Sequence, residues 1–143
     1  MDIPIELVLG GSSLLTKVAR ELANVLDRQL APLGVTTQQA ALLLHASRRP
    51  ARPNELAAEL GTDTAGTTRL LDRLEAKGLL TRSRHPDDRR AIVIELTPAG
   101  RALIPRIARG FGQVARQLQD GFSTADIDRL TELLGRMLDN PTG

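Results

Sequence analysis

Four arginines, Arg82, Arg84, Arg89 and Arg90, crowd one short stretch with only Asp87 and Asp88 to offset them. Guanidinium groups at that density repel one another unless an anion lies nearby, so a polyanion is the partner that suits them. Just upstream come Thr64, Thr67, Thr68, Arg69 and Arg73. Threonine hydroxyls can bond bases or phosphates, and arginine prefers guanine or phosphate. The chemistry on offer is hydrogen bonding and charge neutralisation. Catalysis lacks its parts: there is no cysteine, no glycine-rich phosphate loop and no HExxH, and neither histidine has a serine and acid partner in a recognised order. Residues 10–13, GGSS, read as a bend or a helix start. His45 and His85 are far apart in sequence, with no cysteine or carboxylate cluster to complete a metal site. No cofactor is expected.

Two helices and a hairpin must position these groups. Pro53 suits a first helical position, where its missing N–H costs nothing, and Leu56, Ala57 and Leu60 fall on one face. Gly61 ends that helix, since glycine turns readily into the left-handed conformation that satisfies the last carbonyls. Thr62 or Asp63 then caps a second helix, Leu70, Leu71 and Leu74 bury one side of it, and Gly78 stops it. A leucine-anchored second helix presenting threonine and arginine at its start is a helix-turn-helix pattern. After Gly78 the period changes from helical to alternating. Leu80, Arg82 and Arg84 alternate on one strand and Ile92, Ile94 and Leu96 on the other, with HPDDR as the connecting tip. A basic finger beside a recognition helix suits a duplex, with its phosphates and narrow minor groove.

Composition agrees. The chain has 143 residues, one domain by length, and a core of leucine and alanine. Phe111 and Phe122 are its only aromatic residues, which argues against single-strand binding by base stacking. The net charge of +2 is small, while the pI of 9.9 points towards a polyanion. The absence of cysteine removes disulfides, zinc fingers and thiol sensing together. The start, MDIPIELVLGG, lacks a basic leader, and no run approaches the roughly 20 residues that span a bilayer, so no membrane association and a cytoplasmic location are expected.

The run LAAELGTDTAGTTRLLDRLEAKGLLTRSRHPDDRRAIVIELTPAGRAL resembles the DNA-binding core of the MarR family of dimeric winged helix-turn-helix regulators. The matching elements are LA..LG, T.R.LDRLE.KGL, the DRR wing tip and I.LT..G, and they are specific together. Upstream, VTTQQAALLLHA is similar to the family's LT..Q helix. The resemblance departs at Ala65 and Gly66, where relatives carry larger or hydroxyl residues, and this bears on which bases are read. It implies a mainly α fold with a small β-hairpin wing: a winged helix-turn-helix core at about residues 36–96, with dimerisation helices at 5–31 and 98–139. It also implies that Arg90 reaches into the minor groove and that Asp88 braces the wing tip by ion pairing.

The flanking segments read as helices. Leu15, Val18, Leu22, Val25, Leu26 and Leu30 recur at helical spacing; Gly10, Gly11 and Ser12 leave either a start near Ser12 or Ser13 or an earlier piece joined by a bend. Thr36 with Gln39 forms a capping box. Residues 48–52, RRPAR, are either a solvated linker or a phosphate-contacting loop. Thr97 and Pro98 start a long helix that Pro105 should kink or divide, and Ser123 with Asp126 caps the last one. A compact wing domain needs neither terminal helix for its own core. The economical account is a two-fold homodimer, as in the MarR family, rather than a fold back onto the same chain.

Other site residues are less distinctive. Asn54 could donate to phosphate or simply start its helix. Arg73 suits a phosphate contact or an internal salt bridge, with Asp72 and Glu75 nearby. The family implies a small-molecule crevice between dimer helices and wing domain, where Arg20, His45 and Arg48 could meet a phenolic or carboxylate effector. A lone histidine on a leucine-rich helix is, however, more often a satisfied core residue. The expected function is sequence-specific duplex-DNA binding by a homodimeric, ligand-relieved repressor. The alternatives are a winged-helix dimer that binds a protein partner and a non-specific architectural DNA binder.

Overall fold

Except at Pro53, each expected helix start is built by a cap side chain that accepts a free N–H, and these starts divide the chain into its elements. The structure is a computed structural model that describes residues 3–5, 9 and 13–141. Ser13 caps α1 (Leu14–Leu30), accepting from the Thr16 N–H at 3.0 Å. This long helix therefore starts at Ser13, while Leu9 N–H donates to Ile5 O at 3.0 Å ahead of it; Gly10, Gly11 and Ser12, where the expected bend falls, lie outside the described residues. A short 3-10 turn (Ala31–Leu33) leads to α2 (Thr37–Arg48), which begins with the reciprocal Thr36–Gln39 capping box.

Next come α3 (Pro53–Leu60), opening on Pro53, and α4 (Thr64–Ala76), capped by Asp63. Gly61 between them adopts a φ of +66°, so the sharp turn of the helix-turn-helix rests on a glycine. Strands β1 (Leu80–His85) and β2 (Asp88–Leu96) form an antiparallel hairpin. Leu80 pairs with Leu96, Arg82 with Ile94 and Arg84 with Ile92, which is the expected alternation. The tip is shorter than HPDDR, because the strands run on until only Pro86 and Asp87 connect them.

The long helix α5 (Pro98–Leu118) is not divided at Pro105; it continues to Leu118. Thr97 caps it and also welds it to the hairpin base. Its hydroxyl accepts from Gly100 N at 3.1 Å and donates to Gly78 O at 2.6 Å, and its own N–H reaches Leu79 O at 3.1 Å. A methyl group on Gly100 would lie 2.0 Å from that same Leu79 oxygen, so only glycine lets the helix come this close. The last helix, α6 (Thr124–Asp139), starts on the Ser123–Asp126 capping box.

One core joins all but the last of these elements. Leu30 of α1, Leu42 and Leu43 of α2, Leu56 of α3, Leu71 and Leu74 of α4, Ile94 of β2 and Ile107 and Val114 of α5 are buried in it. One member carries no mark in the sequence: Ala51, inside the basic loop, exchanges both backbone bonds with Ile94 at 3.2 and 2.7 Å. The loop is thus pinned to the wing as a third, one-residue strand. No residue of α6 is buried, and Leu130, Leu133, Leu134, Met137 and Leu138 are exposed along it.

Candidate nucleic-acid interface

The start of α4 faces outward. Asp63 accepts from the Gly66 N–H at 2.6 Å, and Thr64, Ala65, Thr68, Arg69 and Arg73 are exposed. Thr67 is a correction to the expected set. It is 2% exposed, its hydroxyl donates to Asp63 O at 2.9 Å, and it therefore accepts from Thr62 Oγ1 at 2.7 Å. Thr67 locks the turn between α3 and α4 and has no free surface to offer a base. Its spacing to Leu70, Leu71 and Leu74 is that of the buried stripe itself.

The wing holds a second correction. Arg82 does not point away towards a phosphate; it returns to the recognition helix. Its Nη2 lies 2.7 Å from Asp72 Oδ1 and 3.2 Å from Glu75 Oε1, and its Nε donates to Glu75 Oε2 at 3.2 Å. The guanidinium holds the Glu75 carboxyl below its ordinary range, and the two carboxylates raise the Arg82 pKa in turn. Asp72 and Glu75 therefore serve Arg82, and Arg73 has no ion pair among the described residues. Asp88 does brace the tip, but by a backbone bond: its Oδ1 accepts from the Arg90 N–H at 3.0 Å, and it makes no ion pair among the described residues. The short turn explains this, since Asp88 lies two residues before the N–H it satisfies. Arg84 reaches back to Arg89 O at 3.4 Å, while the Arg89 and Arg90 side chains are exposed.

Residues from three elements meet in one open cleft of about 340 Å³. Arg52 just before α3, Asn54 at its start, Thr64 and Thr68 on α4 and Arg90 on β2 all line it. Helix-start N–H groups, a side-chain amide, hydroxyls and arginines are thus collected between recognition helix and wing. Such a set binds phosphate oxygens and base edges.

The expected effector residues do not converge. Arg20 and Arg48 are exposed on α1 and α2, and His45 Nδ1 lies 2.7 Å from Glu59 Oε2. His45 therefore fastens α2 to α3. None of the three lines a described cavity. One cleft of about 350 Å³ does lie where α1, α2 and α4 meet, lined by Asp27, Thr37, Gln39 and Arg73 among others. There Asp27 Oδ1 accepts from the Thr37 hydroxyl at 2.6 Å and its N–H at 3.0 Å, which lowers the carboxyl pKa. Buried Gln39 accepts from Lys77 Nζ at 2.9 Å, tying α2 to the end of α4. Among the described residues no group of three His, Asp, Glu or Cys is placed to hold a metal, and no helix is long and apolar enough to cross a membrane.

Known proteins share this fold. The sequence profile of the MarR family matches residues 33–91. The multiple antibiotic resistance protein MarR of Salmonella typhimurium is 32% identical over 129 residues, covering 87% of this chain and 88% of that protein. A crystal structure of a MarR variant from E. coli complexed with operator DNA superposes with a TM-score of 0.80 at 26% identity, covering 96% of this chain and 99% of that one. CouR from Rhodococcus jostii, bound to p-coumaroyl-CoA, has the same fold, with a TM-score of 0.83 at 23% identity over 91% of this chain and 92% of that one. The family and fold are those of transcriptional regulators, not enzymes.

Proposed function

This chain belongs to the MarR family of DNA-binding winged helix-turn-helix regulators, and from that premise we propose that it is a homodimeric repressor of a pseudo-palindromic operator, relieved by a small effector. Two recognition helices enter successive major grooves about 34 Å apart and the wings flank them. On each half-site Thr64, Thr68 and Arg69 face the major groove. Asn54, Arg73, Arg84 and Arg89 meet backbone phosphates, and Arg90 enters the minor groove. Arg82 and Thr67 hold the frame for these contacts.

The observation that carries this reading is the shared cleft of Asn54, Thr64, Thr68 and Arg90, which gathers the start of the recognition helix and the wing into one surface. The exposed leucines of α6, together with Leu14, Leu15 and Val18 of α1 and Phe122, support a second copy as the cover for that apolar face. A phenolic or carboxylate effector is the class that the family resemblance implies, and since Arg20, His45 and Arg48 do not converge within one chain they do not by themselves form its site. An effector that binds better to a dimer with the wrong helix spacing lowers DNA affinity by that difference.

Selection of bound duplexes from a random pool tests the proposal. A two-fold symmetric site should emerge, and its affinity should fall steeply with salt through counterion release. If salt has no effect, the protein-interaction reading is favoured instead; if no sequence is enriched over random DNA, the architectural one is.

A further inference from the structure

The recognition helix has spent most of its hydroxyl donors on itself. Thr67 is buried with both of its bonds internal. Thr68 is exposed, but its hydroxyl donates to Thr64 O at 2.9 Å. A threonine hydroxyl has one hydrogen, so Thr68 has no donor left; what this exposed side chain still offers a partner is its methyl group and an acceptor oxygen. Ala65 adds a second exposed methyl beside it. Gly66, which has no side chain, adds nothing to this face. The first turns of α4 therefore offer a surface of methyl groups flanked by the guanidiniums of Arg69 and Arg73.

We propose that Ala65 and Thr68 are specificity-determining residues that read thymine C5-methyl groups in the major groove. Apolar contact with that methyl is how alanine and threonine side chains distinguish thymine from cytosine at an edge where no bond is donated. This rests on the DNA-binding reading above. It adds to that reading which atoms choose the bases.

The test uses the full-length protein and the duplex recovered by selection. Each thymine is replaced in turn by deoxyuridine, which pairs identically and lacks only the methyl. At one or two positions per half-site affinity should fall about fourfold, the worth of one methyl group taken out of water. Thr68→Val keeps the methyl and discards the hydroxyl, so it should keep the full uridine effect and lose less affinity than Thr68→Ser. Thr68→Ser keeps the hydroxyl and discards the methyl; it should lose about the same factor and become blind to uridine at one position. Melting curves of both variants verify that they fold. A selected duplex that tolerates uridine everywhere overturns the inference while leaving DNA binding intact. So does a loss in Thr68→Val with none in Thr68→Ser, since the hydroxyl would then be the reader. Failure to enrich any duplex overturns the DNA-binding reading itself, and this inference with it.

Discussion

Arg82 on the first wing strand is bonded to Asp72 on the recognition helix, Nη2 to Oδ1 at 2.7 Å, and Glu75 one turn further on grips the same guanidinium. The wing is therefore fixed to the helix beside it through a side-chain clamp as well as through its backbone. Arg82→Ala should weaken operator binding at least about fivefold, the low end of coupling energies between two sites, because the wing no longer meets the duplex at a set angle. Asp72→Asn should act in the same direction, and the double variant should lose less than the sum. Fluorescence anisotropy measures all three. Thermal stability should change little, since exposed ion pairs contribute little.

The same clamp has an acid limit. The folded pKa of Glu75 lies below its ordinary 4.5 and that of Asp27 below its ordinary 3.8, so both groups release protons more readily folded than unfolded. Their stabilisation is present above those ordinary values and is lost as pH falls through the lower folded ones. Carboxyl NMR titration should show the Glu75 midpoint rising towards 4.5 in Arg82→Ala and the Asp27 midpoint rising towards 3.8 in Thr37→Val.

Gly100→Ala should be costly despite adding a single carbon. The new methyl would sit 2.0 Å from the Leu79 carbonyl oxygen, a backbone atom that no rotamer change can move away. A loss of about 2–3 kcal/mol is expected, at the upper end for overpacking, and urea denaturation at fixed protein concentration measures it.

Arg90→Ala should reduce operator affinity strongly and lower the slope of log affinity against log salt by about one. Arg89→Ala should lower the slope similarly while leaving the preference among sequences unchanged. If both variants behave alike in every respect, the assignment of Arg90 to the minor groove is wrong.

Leu134→Asp on α6 should leave the fold of residues 13–118 intact, because no residue of α6 is buried in the chain's own core. Sedimentation should then report a monomer, and cooperative binding to the two half-sites should vanish. A variant that remains dimeric would mean that α6 is not the interface.

The caps and turns could be read directly, because their chemistry is local. Asp63, Thr36 with Gln39, Thr97 and Ser123 with Asp126 each bond an N–H within three residues, and Gly61 turns where its neighbours cannot. The strand pairing also followed from alternation alone. Contacts distant in sequence were hidden. Asp72 and Glu75 stand near Arg73 in the chain but bond to Arg82, because only the folded hairpin brings that guanidinium across them. Ala51 has nothing in its neighbourhood to mark it as a strand residue; its partner, Ile94, is supplied by the wing. Thr67 is a different case: it belongs to the leucine stripe by position, and its polar side chain disguised that.

The contact between Gly100 and Leu79 makes the junction of α5 and the wing a stiff joint. A rod of 21 residues seated that tightly on a carbonyl oxygen has no slack at its root. Any tilt imposed where the rod ends, about 30 Å away, is carried into the hairpin as leverage instead of being absorbed at the bearing.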